Sequence, residues 1–321
     1  MKYFFCTLFD KNYLYRGLTL YQSLLWHCPD FKIWILAMDD LTYKVLGKMN
    51  LDKAELISPE EFEDKELLDV KKTRDVAEYS WTSKPSLLIH ILKKNPQLDI
   101  ITYLDSDCFC FSNPEPLYKA LNKHSIGITP HQFPLEKKYL ERKTGIYNAG
   151  ILIFRNDKNS LDCLEWYRKK CLEWCFFRHE NGKIGDQGYL NDWPKLFLGV
   201  QIITNKGVNL APRNIKNYDI KKINNKIFVD QDPLVFYHFH SFKIYSMDKF
   251  QLFSPAFNIS KEKQDLVYQP YIVELTKVTK KLKLREPDFN CGLEPEQNFI
   301  EKIKDNIKIK IILPFLELIK Y

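Results

Sequence analysis

Ile101-Thr102-Tyr103-Leu104-Asp105-Ser106-Asp107-Cys108-Phe109 is the stretch on which the fold turns. Apolar and β-favouring residues over Asp99–Leu104 read as a buried strand that runs into Asp-x-Asp. In an α/β sheet, ligands gather where a central strand ends at its carboxyl edge. Side chains two apart on extended backbone share a face, so Asp105 and Asp107 are expected to aim at one spot. Two carboxylates there repel each other. A divalent cation removes that cost, and hard oxygen ligands suit Mg²⁺ or Mn²⁺.

Outward from this strand, two hydrophobic periods alternate. On the N-terminal side Lys2–Phe9 reads as a strand, Gly17–Trp26 as a helix, Phe31–Met38 as a strand and Leu41–Asn50 as a helix. Leu56-Ile57-Ser58 is a short strand, and Ser58-Pro59-Glu60-Glu61 is a cap that starts an acidic helix. Ser83-Lys84-Pro85 is expected to open another helix, with Pro85 near its first position. On the C-terminal side Ser125–Thr129, Tyr147–Phe154, Gly199–Thr204 and Leu234–His240 read as strands, and Asn156 or Asp157 can cap a helix running to about Phe176. Strands separated by helices predict an α/β fold with a mostly parallel sheet and right-handed crossovers.

The chain has 321 residues, 45% of them hydrophobic and 14% aromatic, enough for a real core and too many for disorder. Net charge is +7, but only 8 of the 48 basic residues are arginine, so nucleic acid is not an expected partner. No apolar run reaches the roughly 18 residues that span a bilayer, and the N-terminus lacks a cleavage pattern. The eight cysteines are therefore expected to be reduced and buried, in a cytoplasmic protein. Lys277, Lys280, Lys281, Lys283 and Arg285 form a basic cluster, followed by a connector (residues 286–297) and a segment with Phe299, Ile300, Ile303 and Ile307 that Pro314 would interrupt. This tail reads either as a peripheral contact with the inner face of a membrane or as packing against the main domain or a second copy.

Three further constellations carry chemistry. Gly145-Ile146-Tyr147-Asn148-Ala149-Gly150 sets an amide and small residues before an apolar strand, where a ligand could come close. Gly182-Lys183-Ile184-Gly185-Asp186-Gln187-Gly188 places Asp186 at a helix start, as a plain cap or beside a polar substrate. Val235-Phe236-Tyr237-His238-Phe239-His240-Ser241-Phe242-Lys243 puts two imidazoles on one strand face, with a lysine that could meet a phosphate. Cys171, Cys175 and His179 fall at helical spacing, a rival zinc pattern without the usual four ligands.

In this order the motifs resemble the GT-A nucleotide-sugar glycosyltransferases, and glycosyltransferase family 8 in particular, over roughly residues 1–245. The resemblance implies a Rossmann-like catalytic domain 1–245 (nucleotide side 1–110, acceptor side 111–245) with a helical C-terminal extension 246–321. It implies that Thr7, Asp10, Asn12 and Tyr13 hold the nucleotide, with Lys243 and the metal ligand Asp105 at its phosphates. Asp105, Asp107 and His238 would hold Mn²⁺ or Mg²⁺, with His240 a rival ligand. Lys84, Asn148, Ala149, Asp186 and Gln187 would line the donor-sugar and acceptor site, Asp186 and Gln187 being nearest the chemistry. The implied reaction is metal-dependent, retaining transfer from a UDP-sugar to a glycan or lipid-linked acceptor in bacterial surface polysaccharide synthesis. The usual late motif His-x-x-Gly-x-x-Lys-Pro-Trp is altered, since Ser241 stands at the Gly position, Lys243 comes early and no Pro-Trp follows. Two alternatives stand beside this reading. One is a GT-A-like binding module without turnover. The other is a haloacid-dehalogenase-like phosphatase, in which Phe109 would stand where Thr or Val is usual.

Overall fold

The computed structural model of the chain describes residues 2–180 and 183–295. Its central sheet is built from β1 (Tyr3–Phe9), β2 (Phe31–Ala37), β3 (Ala54–Ile57), β4 (Ile100–Leu104), β6 (Ile126–Pro130), β7 (Tyr147–Arg155) and β8 (Val200–Ile202), while the short β5 (Cys108–Cys110) stands apart. The order across the sheet is β3-β2-β1-β4-β7-β6-β8. β1 to β4 run parallel, β7 is antiparallel to β4 and β6, and β8 is parallel to β6. This is the expected mixed, mostly parallel α/β architecture.

The sheet is covered on both faces, which is why its central strands are apolar at nearly every position. Along β1, Phe5 and Phe9 pack with Leu14 and Leu18 of the helix Leu14–His27 on one face. Cys6 and Leu8 pack with Leu87, Leu88 and Ile91 of the helix Val76–Lys94 on the other. The alternation is the period of two expected of a strand, and each fully buried Leu or Phe contributes roughly 1.5–3 kcal/mol. The helix Lys158–Glu173 shares the second face, capped as expected by Asp157, which accepts from Ser160 N at 2.9 Å.

One local expectation is corrected. Ser83-Lys84-Pro85 does not open a helix: the helix begins at Val76 and contains Pro85. Asp75 accepts from Glu78 N at 2.8 Å and Glu78 accepts from Asp75 N at 3.0 Å, a reciprocal cap that satisfies the first orphan donors upstream. Pro85 removes one ladder bond, and the buried stripe Tyr79, Ser83, Leu87 and Ile91 outweighs that loss. Ser58 caps the acidic helix as expected, a single turn over Pro59–Phe62, before Asp64 starts a new helix over Lys65–Lys71.

The helix Lys261–Arg285 lies along Leu14–His27 and shares its core through Val267, Tyr268, Tyr271 and Leu275. The connector after it docks back. Tyr15 donates to Phe289 O at 3.2 Å, their rings meet edge-on at 5.5 Å, and Glu294 N donates to Ile244 O at 2.7 Å. Gly292, at φ +80°, sits where a Cβ would come within 2.5 Å of Asn12 O. Phe299, Ile300, Ile303, Ile307 and Pro314, and also Gly182, lie outside the described residues. Among the described residues no helix is long and apolar enough to cross a membrane.

Gly17 gives a direct test of the packing beneath the site. A Cβ there would fall 2.2 Å from Cε1 of buried Phe9. Gly17→Ala is expected to lower stability by about 1–3 kcal/mol, read as a lower urea midpoint with an unchanged slope.

Candidate active site

The end of β4 builds the first half of the site. Asp105 N donates to Gly150 O at 2.8 Å, carrying the β4–β7 ladder one residue further, and Cys108 N closes a turn onto Asp105 O at 3.0 Å. Asp105-Ser106-Asp107 is therefore a turn and not the extended segment expected. β5 then pairs antiparallel with the strand Phe236–His238, with His238 opposite Cys108, and Phe239 N donates to Asp107 O at 2.9 Å. This register brings His238 Nε2 to 3.1 Å from Asp107 Oδ1 and 3.7 Å from Asp105 Oδ2. One ligand atom from each of the three lies within 4.8 Å of the others, and among the described residues this is the one group of three or more His, Cys, Asp or Glu so arranged. Two carboxylate oxygens and an imidazole nitrogen fit a hard divalent cation. Burial would raise Asp107, but the His238 imidazole beside it more than reverses this and holds its carboxyl down to about 2.

Other expected ligands fall differently. His240 follows the end of the strand, before Ser241 at φ +67°; its ring stands perpendicular to that of His238 with centroids 5.5 Å apart. The zinc pattern does not form: the helix ends at Glu173, so His179 is not on it, and Cys171 and Cys175 are free and buried. Gly150 is small for a reason the sequence does not show. A Cβ there would lie 2.6 Å from His238 Nδ1, so the glycine makes room for the imidazole rather than for a ligand.

The second half centres on Lys84, 3% exposed on the helix Val76–Lys94. Its Nζ lies 3.1 Å from Asp105 Oδ1, 3.1 Å from Asp186 Oδ2 and 3.5 Å from Ala149 O. Burial works against the ammonium, but the two carboxylates outweigh it and raise Lys84 above the ordinary lysine value. Tyr103 donates to Asp105 Oδ1 at 2.9 Å and Tyr167 to Asp186 Oδ2 at 3.0 Å. Asp186 caps no helix. Beside it, Asn148 Nδ2 donates to Gln187 Oε1 at 3.4 Å, while Asn148 Oδ1 accepts from Gly150 N and Asn209 Nδ2, each at 3.1 Å. Gly150 N can only donate, so the Asn148 amide has one orientation and presents its NH₂ to Gln187.

A cleft of about 410 Å³ is walled by Asp10, Asn12 and Tyr13, by Trp81 and Lys84, and by Tyr103, Asp105, Asp107, His238 and His240, while Asn148, Ala149, Asp186 and Gln187 are off its wall. Asp10 ties its own turn, accepting from Asn12 N at 3.1 Å, Asn12 Nδ2 at 2.7 Å and Tyr13 N at 3.2 Å. That turn presents the Tyr13 ring, 43% exposed, with the Arg16 guanidinium 4.6 Å from its centroid. Thr7 is buried with its hydroxyl unpartnered and is not on the cleft wall, whereas Leu8 and Phe9 are. Lys243 is half-buried in the short strand Lys243–Ile244, also off the wall. Tyr103, Tyr167, Trp81, Asn209 and Arg213 were not marked by the sequence; Tyr103 alone lay inside a motif.

Lys84→Met would leave Asp105 and Asp186 facing each other with no cation between them. An expected loss of about 3 kcal/mol at pH 8 follows from breaking a buried pair. Urea unfolding of the variant and the wild type at pH 8 reads the loss as a lower midpoint. In the wild type the raised Lys84 stabilises the fold below the ordinary lysine value. That contribution is lost only as pH climbs beyond it.

Comparison with known proteins agrees with this geometry. Residues 5–196 match the model of glycosyl transferase family 8. Two Bacillus subtilis (strain 168) proteins described as uncharacterized are similar over nearly their whole length. YfnF is 33% identical over 301 residues (92% of this chain, 98% of its own), and YfnD is 30% identical over 296 (91% and 94%). The fold is similar to that of the galactosyltransferase LgtC, solved with donor and acceptor sugar analogs, at a TM-score of 0.53 and 15% identity over 85% of this chain and 95% of that one. It is also similar to GlyE of Streptococcus pneumoniae TIGR4, at a TM-score of 0.51 and 17% identity over 88% and 64%. With the Asp-x-Asp turn and the late histidine gathered at one cleft and the Asn-Ala-Gly strand packed against that histidine, the chain belongs to glycosyl transferase family 8 and is a glycosyltransferase of the GT-A fold.

Proposed function

We propose that this enzyme moves a hexosyl group from a UDP-sugar to a hydroxyl of a glycan or lipid-linked acceptor in bacterial surface polysaccharide synthesis, with retention at the anomeric carbon. The convergence of Asp105, Asp107 and His238 on the wall of one cleft, with Lys84 on the same wall paired to Asp186 next to Gln187, carries this reading. Asp105, Asp107 and His238 would hold Mn²⁺ or Mg²⁺, which when bound neutralises charge on a leaving diphosphate. Tyr13 offers its exposed ring to the base, and Asp10 and Asn12 shape the turn beneath it. Lys84 faces the sugar side as a fixed, desolvated cation. Asp186 has Oδ2 engaged by both Tyr167 and Lys84, which suits holding Lys84 better than abstracting a proton. Gln187, oriented by Asn148, is the group free to meet the sugar. A peripheral position on the inner face of the membrane, near a lipid-linked acceptor, is part of the proposal.

Two experiments test it. Purified protein with Mn²⁺ is offered UDP-, GDP-, CMP- and dTDP-sugars, and released nucleotide is followed, with calorimetry of UDP and Mn²⁺ alongside. One UDP-sugar is expected to be turned over in a Mn²⁺-dependent way. Asp105→Asn with Asp107→Asn should abolish this, and Gly150→Ala, by displacing His238, should lower it roughly tenfold or more while circular dichroism stays native. No binding of UDP with Mn²⁺ would refute the reading, and an inverted anomer in the product would refute retention. For the membrane, the full chain and a chain ended at residue 295 are compared on anionic liposomes. Binding by the full chain alone is expected, and equal binding would remove the tail from that role.

A further inference from the structure

Arg16 is a buried cation that the reaction above leaves without a task. It is 5% exposed and is not on the wall of the cleft, so it does not meet the donor itself. A buried guanidinium is costly unless its donors are engaged, and two separate segments engage this one. Nη1 donates to Asn12 O at 3.1 Å, and Nη2 donates to Phe242 O at 3.0 Å. Asn12 belongs to the turn that Asp10 ties. Phe242 lies just beyond the strand that carries His238, after the left-handed residue Ser241. Phe239, at the start of the same loop, is the residue whose N–H holds Asp107 O. One planar group therefore joins the turn that presents Tyr13 to the loop that leaves the metal triad, although Arg16 and Phe242 are 226 residues apart in the chain.

The same guanidinium lies against Tyr13, with Cζ 4.6 Å from the ring centroid. Tyr13 is on the cleft wall and 43% exposed, whereas Arg16 is buried behind it, so the cation covers the inner face of the phenol and leaves the other to the cleft. An aromatic face on a pocket wall is a stacking surface for a base, and such a stack is tighter when the ring is already held in place. We propose that Arg16 is a positioning residue for the nucleotide donor: it holds the Tyr13 ring from beneath as a platform for the base and fixes that platform relative to Asp105, Asp107 and His238. A donor must rest its base on the one while its diphosphate reaches the other, so their spacing matters to binding. Lysine could not replace it fully, because one ammonium cannot lie flat on a ring and also reach carbonyls on two segments. The inference rests on the transferase reading above and adds to it a residue that touches no substrate.

A double-mutant cycle tests it. The full chain, Tyr13→Ala, Arg16→Met and the double variant are titrated calorimetrically with UDP in the presence of Mn²⁺. Tyr13→Ala is expected to weaken UDP roughly tenfold, the size of a lost base stack. Arg16→Met, which keeps a stem of similar length but removes the charge and the donors, should weaken it roughly fivefold with native circular dichroism. In the Tyr13→Ala background the same change should cost less than about twofold, because the platform it serves is already gone. Arg16→Lys should lose roughly threefold. Should Arg16→Met fail to fold, Arg16→Lys serves in the cycle, and its loss should likewise vanish beside Tyr13→Ala. A loss as large beside Tyr13→Ala as in the wild type would overturn the proposal, by assigning the guanidinium to the diphosphate. A lower urea midpoint with unchanged UDP affinity would overturn it as well, leaving Arg16 a purely structural residue, and so would a Tyr13→Ala protein that binds UDP as the wild type does. Failure of the wild type to bind UDP with Mn²⁺ sinks the transferase reading and this inference with it, whereas UDP binding that does not respond to Arg16 sinks this inference alone.

Discussion

Lys84 is the constraint around which the site is arranged. One ammonium, almost wholly shielded from water, sits 3.1 Å from a carboxylate at the end of β4 and 3.1 Å from another at the start of the turn carrying Gln187. Neither acid would be tolerated so close to the other without it, and the ammonium would not be tolerated there without them. The pair of contacts ties the end of β4 to the segment that follows the helix Lys158–Glu173. The two tyrosines that donate to the same acids satisfy further lone pairs and fix both carboxylates in place.

The Asp-Asp-His triad depends on a different kind of fit, one of volume. Its histidine arrives on a strand far along the chain and can seat itself only because Gly150 offers no side chain. The same β7 segment supplies Asn148, whose amide is held in one orientation by the Gly150 N–H and passes that orientation to Gln187. A short run of small and amide residues thus sets both the position of the imidazole and the orientation of the amide that meets Gln187.

The C-terminal part is joined to the same core. The helix Lys261–Arg285 completes one face of the sheet, and residues after it return beneath Tyr15 and Asn12, under the turn that presents Tyr13. Support for the turn that presents Tyr13 therefore comes from both ends of the described chain. Lys48 and Glu286 add an exposed ion pair at this junction, worth little by itself beside the apolar contacts.

Much of this was legible in one dimension. Periods of two and 3.6 set out the strands and helices through β4, and the acid pair was placed correctly at a strand end. Asp157 capped its helix as its type and place required, because such signals depend on near neighbours. Pro85 misled because a local breaker was outweighed by a cap and a buried stripe elsewhere in the same helix. The rest depended on contacts between residues far apart in the chain, to which local patterns are blind. No spacing announces that Tyr167 holds Asp186, that Gly150 is shaped to His238, or that Arg213 lies buried against Asn209. The sequence by itself determined the sheet, the family and the residue types that could carry the chemistry. Only the tertiary structure decided which of them share a charge, an orientation or a void, since those depend on desolvation and distance and neither exists until the chain has folded.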